Sequence, residues 1–246
     1  MCCQFGQQIF RQLQLRTPGL TILTLLTVWL SAMAHGEEPP SIVFSEHLIA
    51  DNYAYAYGIA AADFDNDGDL DLSSADYTPH NKLYLFENDG AGNFRKHLIQ
   101  ENEPTRIERH LVGDIDGDGD LDVVIVKNLN GHVLWFENSG SPTDGKLWKR
   151  HVVTTNLPGA YDVALADFNG DGRLDVAGSS WILGNQFAWF ENNGPSDSEE
   201  WTKQMVEENV RETRTMRAAD FDGDGDPDLL GTIRGIDEIV WYENKN

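Results

Sequence analysis

Nine residues of this chain are written four times: DFDNDGDLD at 63–71, DIDGDGDLD at 114–122, DFNGDGRLD at 167–175 and DFDGDGDPD at 220–228. The copies begin 51, 53 and 53 residues apart. Each is followed by an aromatic segment (LYLFEN at 83–88, VLWFEN at 133–138, FAWFEN at 187–192, IVWYEN at 239–244). Each is preceded by another (FSEHLI at 44–49, FRKHLI at 94–99, WKRHVV at 148–153, WTKQMV at 201–206). A unit this short cannot bury its own apolar face, so the copies must stack as equal modules around a shared core.

Within a unit the pattern is that of short strands parted by turn residues. A small-residue strand such as GIAAAD runs into the acidic loop, and an apolar strand such as LDVVIV leaves it. The aromatic strand comes third, and a turn rich in Gly, Pro, Asp and Asn leads to a fourth, as in KRHVV. Four antiparallel strands in about 50 residues make a propeller blade. The fold expected is all-β: a β-propeller of four four-stranded blades. Its phase is offset, since the repeats begin on a fourth strand (44–49) and end on a third (239–244). The N-terminal strand pairing with the last blade would close the ring and remove exposed sheet edges. The alternative is an open arc that completes a larger ring as a homo-oligomer.

Side-chain oxygens recur at positions 1, 3, 5 and 9 of each loop. They are Asp63, Asp65, Asp67 and Asp71; Asp114, Asp116, Asp118 and Asp122; Asp167, Asn169, Asp171 and Asp175; and Asp220, Asp222, Asp224 and Asp228. Glycine holds position 6, where the turn is tight. Alternating hard oxygens around a glycine turn suit Ca²⁺, which takes six to eight of them in flexible geometry. Position 7 would give its backbone carbonyl, so Asp69, Asp120, Arg173 and Asp226 can all serve there. Zinc would want His or Cys, which the loops lack. An EF-hand would need a carboxylate at position 12, where Ser74, Ile125, Gly178 and Gly231 stand. Up to four Ca²⁺, one per repeat, are expected, with the third loop binding least tightly because it carries the least negative charge. Ordinary polar turns would also use Asp, Asn and Gly, but not with oxygens at the same four positions in four copies.

At these loops, and at the W-x-x-H-x-[IV] and [WF]-[FY]-E-N segments, the sequence resembles the FG-GAP/VCBS repeat family, bacterial relatives of the integrin alpha-chain propeller. The resemblance covers residues 44–244. The two strand segments also look like the propeller portions of some bacterial and fungal carbohydrate-active proteins. It implies a Ca²⁺-stabilised propeller used for recognition or adhesion outside the cytoplasm. Integrin-like propellers usually have seven blades, and this chain carries four.

Residues 1–34 are expected to be a signal peptide, with Arg11 and Arg16, the apolar run LTILTLLTVWL over 20–30, and Ala32-Met33-Ala34 at its end. The run is shorter than the roughly 20 residues that span a bilayer. An uncleaved anchor is the alternative reading. A short linker (35–43) would lead to the propeller (44–246), giving a secreted, periplasmic or cell-surface protein with no stable membrane insertion. Both cysteines, Cys2 and Cys3, fall in the leader, so a metal takes on the stapling role that a disulfide would otherwise have. The chain carries 41 acidic residues against 18 basic ones, a formal net charge of −23, which argues against nucleic acid as a partner.

His47, His97 and His151 share one repeat position, and so do Glu87, Glu137, Glu191 and Glu243. Residues repeated around a ring are expected to pack and pair rather than to catalyse. Ligand recognition is expected where the repeats differ, on the connections at the face opposite the acidic loops. Those stretches carry Tyr57, His80, Arg109, His132, Tyr161, Trp181, Arg214 and Arg234. Aromatic rings and arginines on a rigid rim suit a sugar, an anionic glycan or an acidic peptide. Local ion pairs with Glu108 and Glu212 are the plainer explanation. The function expected is a non-catalytic recognition or adhesion module for a glycan or an extracellular protein. The alternative is a carbohydrate-active enzyme, a sugar lyase or hydrolase, using the same face.

Overall fold

The run DVVIVK at Asp122–Lys127 is buried at every position, although side chains along a strand point alternately to opposite faces. Such a strand needs neighbours on both sides of its sheet, and stacked sheets supply them. The computed structural model describes residues 42–77, 80–194 and 200–245 and divides the chain into two units, 1–47 and 48–246. The expected signal peptide lies outside the described residues, as does the linker apart from residues 42 and 43.

In the second unit the first sheet runs β1 (Ala56–Ala62), β2 (Asp71–Asp76), β3 (Lys82–Asn88) and β4 (Phe94–Gln100). The second runs β5 (Arg109–Gly113), β6 (Asp122–Lys127), β7 (His132–Glu137) and β8 (Lys149–Thr154). The third runs β9 (Ala160–Ala166), β10 (Asp175–Ser180), β11 (Gln186–Glu191) and β12 (Thr202–Glu208). The fourth has three strands, β13 (Thr213–Ala219), β14 (Asp228–Ile233) and β15 (Glu238–Tyr242). All pairings are antiparallel between strands adjacent in sequence, which keeps loop closure inexpensive.

Three apolar layers hold the sheets face to face. Leu83, Leu85 and Ile99 of the first sheet meet Val123, Ile125 and Phe136 of the second. Val124, Val126 and Trp135, on the other face of the second sheet, meet Val163, Val176 and Phe190 of the third. Ala177 and Phe187 then meet Met216 and Leu229 of the fourth. The successive first strands β1, β5, β9 and β13 lie alongside one another in that order.

Two expectations fare differently. Among the described residues four blade-like antiparallel sheets form, the last with three strands, and no strand lies on the free edge of β15. Residues 42–55 contain no strand, and the fourth sheet ends at β15 with Ile239 76% and Trp241 49% exposed. On the outward side of the first sheet, Ile59 is 69% exposed. The closing pairing would join segments nearly 200 residues apart, whereas every pairing among the described residues joins strands adjacent in sequence.

The residue heading the fourth strand shows what the last sheet lacks. The Trp148 amide donates to Ile99 O of the preceding sheet at 3.0 Å, and its indole packs edge-on against Phe64. The Trp201 amide donates to Val153 O at 2.9 Å, and its ring lies among Ile115, Trp135 and Asn192. The repeat-equivalent residues one junction later, Phe168, Trp189 and Asn244, instead line a cavity of about 240 Å³ with Val206, Leu229 and Tyr242.

Candidate metal loops and the opposite rim

Each acidic loop is shaped by its own backbone before any ion is considered. In the first, Asp63 accepts the amides of Asp67 and Gly68 at 3.1 and 3.0 Å, and Asp65 and Asp67 accept amides two residues on. In the other loops Asp114, Asp167 and Asp220 likewise accept the position-6 glycine amide, with a second amide from Gly117, Asp171 and Gly223 respectively. Three triads then come together: Asp63, Asp65 and Asp71; Asp114, Asp116 and Asp122; Asp220, Asp222 and Asp228. Within each triad one ligand oxygen per residue lies within 4.8 Å of the others.

The position-9 aspartates do more than face the loop centre. Asp122 is fully buried, and its two oxygens accept the Ile115 and Asn138 amides, both at 2.9 Å. Asp71, Asp175 and Asp228 make the same pair of contacts. This carboxylate braces the loop against the third strand. Burial pushes the Asp122 carboxyl up to about 7 despite those hydrogen bonds, and burial with the neighbouring Asp118 charge raises Asp116. Anionic oxygens crowded in this way fit a hard divalent cation, and a bound Ca²⁺ would supply positive charge and oxygen coordination there.

The third loop differs. The Arg173 guanidinium pairs with Asp171 and donates to Asn192 O at 2.6 Å, while Asn169 donates to Asp171 at 3.1 Å. Asp171 therefore already has a cationic partner. Calcium titration of the protein is expected to show three tighter sites and one weaker. Arg173→Ser should bring the fourth closer to the others, and four equal sites in the unsubstituted protein would count against this account.

Two kinds of repeated residue make pairing contacts here, the histidines as expected. His97 and His151 each sit 2.6 Å from a carboxylate oxygen, of Glu87 and Glu137 respectively, as cross-strand pairs. The asparagine ending the second, third and fourth aromatic segments ties neighbouring sheets. Asn138 donates to Phe64 O, Asn192 to Ile115 O and Asn244 to Phe168 O, at 2.8–2.9 Å.

The opposite rim is built from the starts of the first strands. Tyr57, Glu108, Tyr161 and Arg214 each stand six residues before a loop's first aspartate, about 20 Å back along the strand. Ladder irregularities fall at Gly58, Tyr161 and Arg214–Thr215, and such bulges re-aim side chains. The Arg214 guanidinium lies 4.8 Å from the Tyr161 ring centre and 4.2 Å from that of Trp181. Arg109 lies 5.3 Å from Tyr161 and 3.8 Å from buried Asp162, which also pairs with Arg217. Tyr57 donates to Glu108 at 3.4 Å, and Glu108 pairs with Arg106. Of the eight rim residues expected from sequence, Arg109, Tyr161, Trp181 and Arg214 converge through direct contacts, and Tyr57 reaches their neighbour Glu108. His80 is exposed, His132 bonds Asn130 at 3.1 Å, and Arg234 pairs with Glu212 at 2.6 Å.

A family model for the FG-GAP-like repeat matches residues 63–125 and 114–178, each stretch running from one acidic loop through the next. Residues 63–178 belong to the FG-GAP-like repeat family. The chain is 24% identical over 199 residues to aldos-2-ulose dehydratase of Phanerodontia chrysosporium, a match covering 73% of the chain and 20% of the dehydratase. Among solved structures, the V. cholerae biofilm matrix protein Bap1 matches 78% of the chain and 38% of its own, at 16% identity and a TM-score of 0.38. The chain thus spans about a fifth of the dehydratase and well under half of Bap1. Among the described residues, no helix is long and apolar enough to cross a membrane.

Proposed function

We propose that this protein is a secreted, calcium-loaded β-propeller module that binds a glycan or an extracellular protein without turning it over. The observation that carries this reading is the convergence of Arg109, Tyr161, Trp181 and Arg214 at the end of the sheets remote from the acidic loops. Metal loops at one end staple the blades; at the other, side chains that differ between repeats meet on a rigid base. The Ser73–His110 contact at 3.0 Å is closed inside the core, where burial pushes His110 down to about 4, so it offers no nucleophile to a substrate. Binding of the calcium-loaded protein to an array of glycans and extracellular proteins tests the proposal. Saturable binding with unchanged ligand is expected, and product formation would overturn it.

The dehydratase relative favours a second reading, an enzyme acting on sugars at the same rim. Turnover of an oligosaccharide, lost on replacing Tyr161, would establish it in place of the first.

For the fold, we infer that residues 44–49 complete the fourth sheet as its fourth strand. Phe44 holds the repeat position of Phe94, Trp148 and Trp201, and the last junction has a cavity where the two earlier ones hold tryptophan. Light scattering should report a monomer, and deleting residues 42–49 should cause association through the β15 edge. A dimer of the full chain would instead support an open arc completed by a second copy.

A further inference from the structure

Three features of the rim narrow the ligand, on the recognition reading above. Arg214 is half-buried, and among the described residues its guanidinium has neither a carboxylate nor a hydrogen-bond partner; its neighbours are the Tyr161 and Trp181 rings. In a chain of net charge −23 an arginine left unpaired among so many carboxylates is held away from them by its seat. The two rings seat the guanidinium and its N–H donors are left unused, which suits a bidentate carboxylate.

The second feature is a pair of unmet donors. Trp181 Nε1 and Arg109 Nε are shielded from solvent and have no hydrogen-bond partner among the described residues. Shielded polar groups are normally satisfied, so Trp181 Nε1 calls for an acceptor, while Arg109 Nε has only the Asp162 carboxylate at 3.8 Å. The third is the local charge balance. Asp162 is committed to Arg109, Arg217 and the Met216 amide, and Glu108 to Arg106 and Tyr57. Their negative charge is offset in place, so the Arg214 seat stays electropositive within an acidic surface.

We propose that this seat binds an acidic sugar residue of a glycan, a uronate, with its carboxylate on the Arg214 guanidinium and neighbouring oxygens on Trp181 Nε1–H and Arg109. A peptide carboxylate on a flexible side chain would use the guanidinium but bring no second acceptor at fixed spacing. A uronate ring carries carboxylate and hydroxyls on one rigid frame, and its C–H face suits the rim of Tyr161 and Trp181.

The test is calorimetric titration with trigalacturonate, its methyl ester and tetraglutamate, at constant free calcium. Trigalacturonate should bind, and the neutral ester should bind roughly ten- to hundredfold more weakly, as expected for losing a charge-assisted pair. Arg214→Ala should cause a loss of the same order with an unchanged melting temperature. Trp181→Phe, which keeps a ring and removes the N–H, should cost several-fold. Equal binding of acid and ester, or no effect of Arg214→Ala, would overturn the uronate seat while leaving the module's recognition of another ligand intact. Tetraglutamate binding as tightly as the sugar would overturn the sugar assignment. Binding of none of the three would overturn the seat, and only failure across the whole array would also remove the recognition reading.

Discussion

Stripping calcium from the protein with a chelator is expected to lower its melting temperature by roughly 15–30 °C. The figure follows from linkage. A ligand held only by the folded state at about 100 times its dissociation constant contributes about 2.7 kcal/mol per site. Three aspartate triads would contribute about 8 kcal/mol, and a domain of this size shifts by about 2–4 °C per kcal/mol. The molecular reason is the crowding of Asp114, Asp116 and Asp122, with Asp118 alongside, in one turn whose only internal neutralisation is backbone N–H donation. Asp114→Asn, at a position that is aspartate in all four loops, should remove about a third of the calcium-dependent increment. A melting curve indifferent to the chelator would overturn the metal assignment for all four loops at once.

The repeat made much of this fold legible. Period, strand order and the blade unit could all be read from the loop, the W-F-E-N segment and the small-residue strand, because each recurs in phase. The burial of VVIV on both faces follows from stacking and needs no further signal. The closing strand was less legible. Residues 44–49 have the composition of a fourth strand, but composition does not fix a partner nearly 200 residues away. At the acidic loops the sequence identified the oxygens but not the second task of Asp122 and its counterparts, which brace the loop to the third strand. A carboxylate that accepts two backbone amides reads the same, in one dimension, as one that faces only a metal. The asparagine of each E-N pair was visible as a repeat, yet its reach into the preceding sheet depends on stacking geometry. On the rim, sequence could nominate residues but not rank them. Bulges at Tyr161 and Arg214 decide which side chains meet, and bulges leave little trace in composition.

Breaking the buried ion pair between Lys127 and Glu103 is the second large expected effect. Sequence rules place both residues at the surface, Lys127 just after an apolar strand and Glu103 in a connection. In the fold, Lys127 is fully enclosed and its ammonium bonds the nearly enclosed Glu103 carboxylate, whose other oxygen lies 3.3 Å from Arg150. Burial holds the Lys127 ammonium below its usual range, with Glu103 opposing that shift. Removing the lysine leaves the nearly enclosed Glu103 carboxylate with Arg150 alone. Lys127→Met is therefore expected to destabilise the protein by about 3–5 kcal/mol in chemical denaturation, with calcium present or absent. Pairing it with Glu103→Met should recover most of that loss, since a buried pair replaced by apolar groups of similar volume is commonly close to neutral. Arg150 is over a third exposed and can turn to solvent when its carboxylate goes. If the double variant is as unstable as the single, packing around the lysine stem, and not the paired charge, holds this junction between the first two sheets.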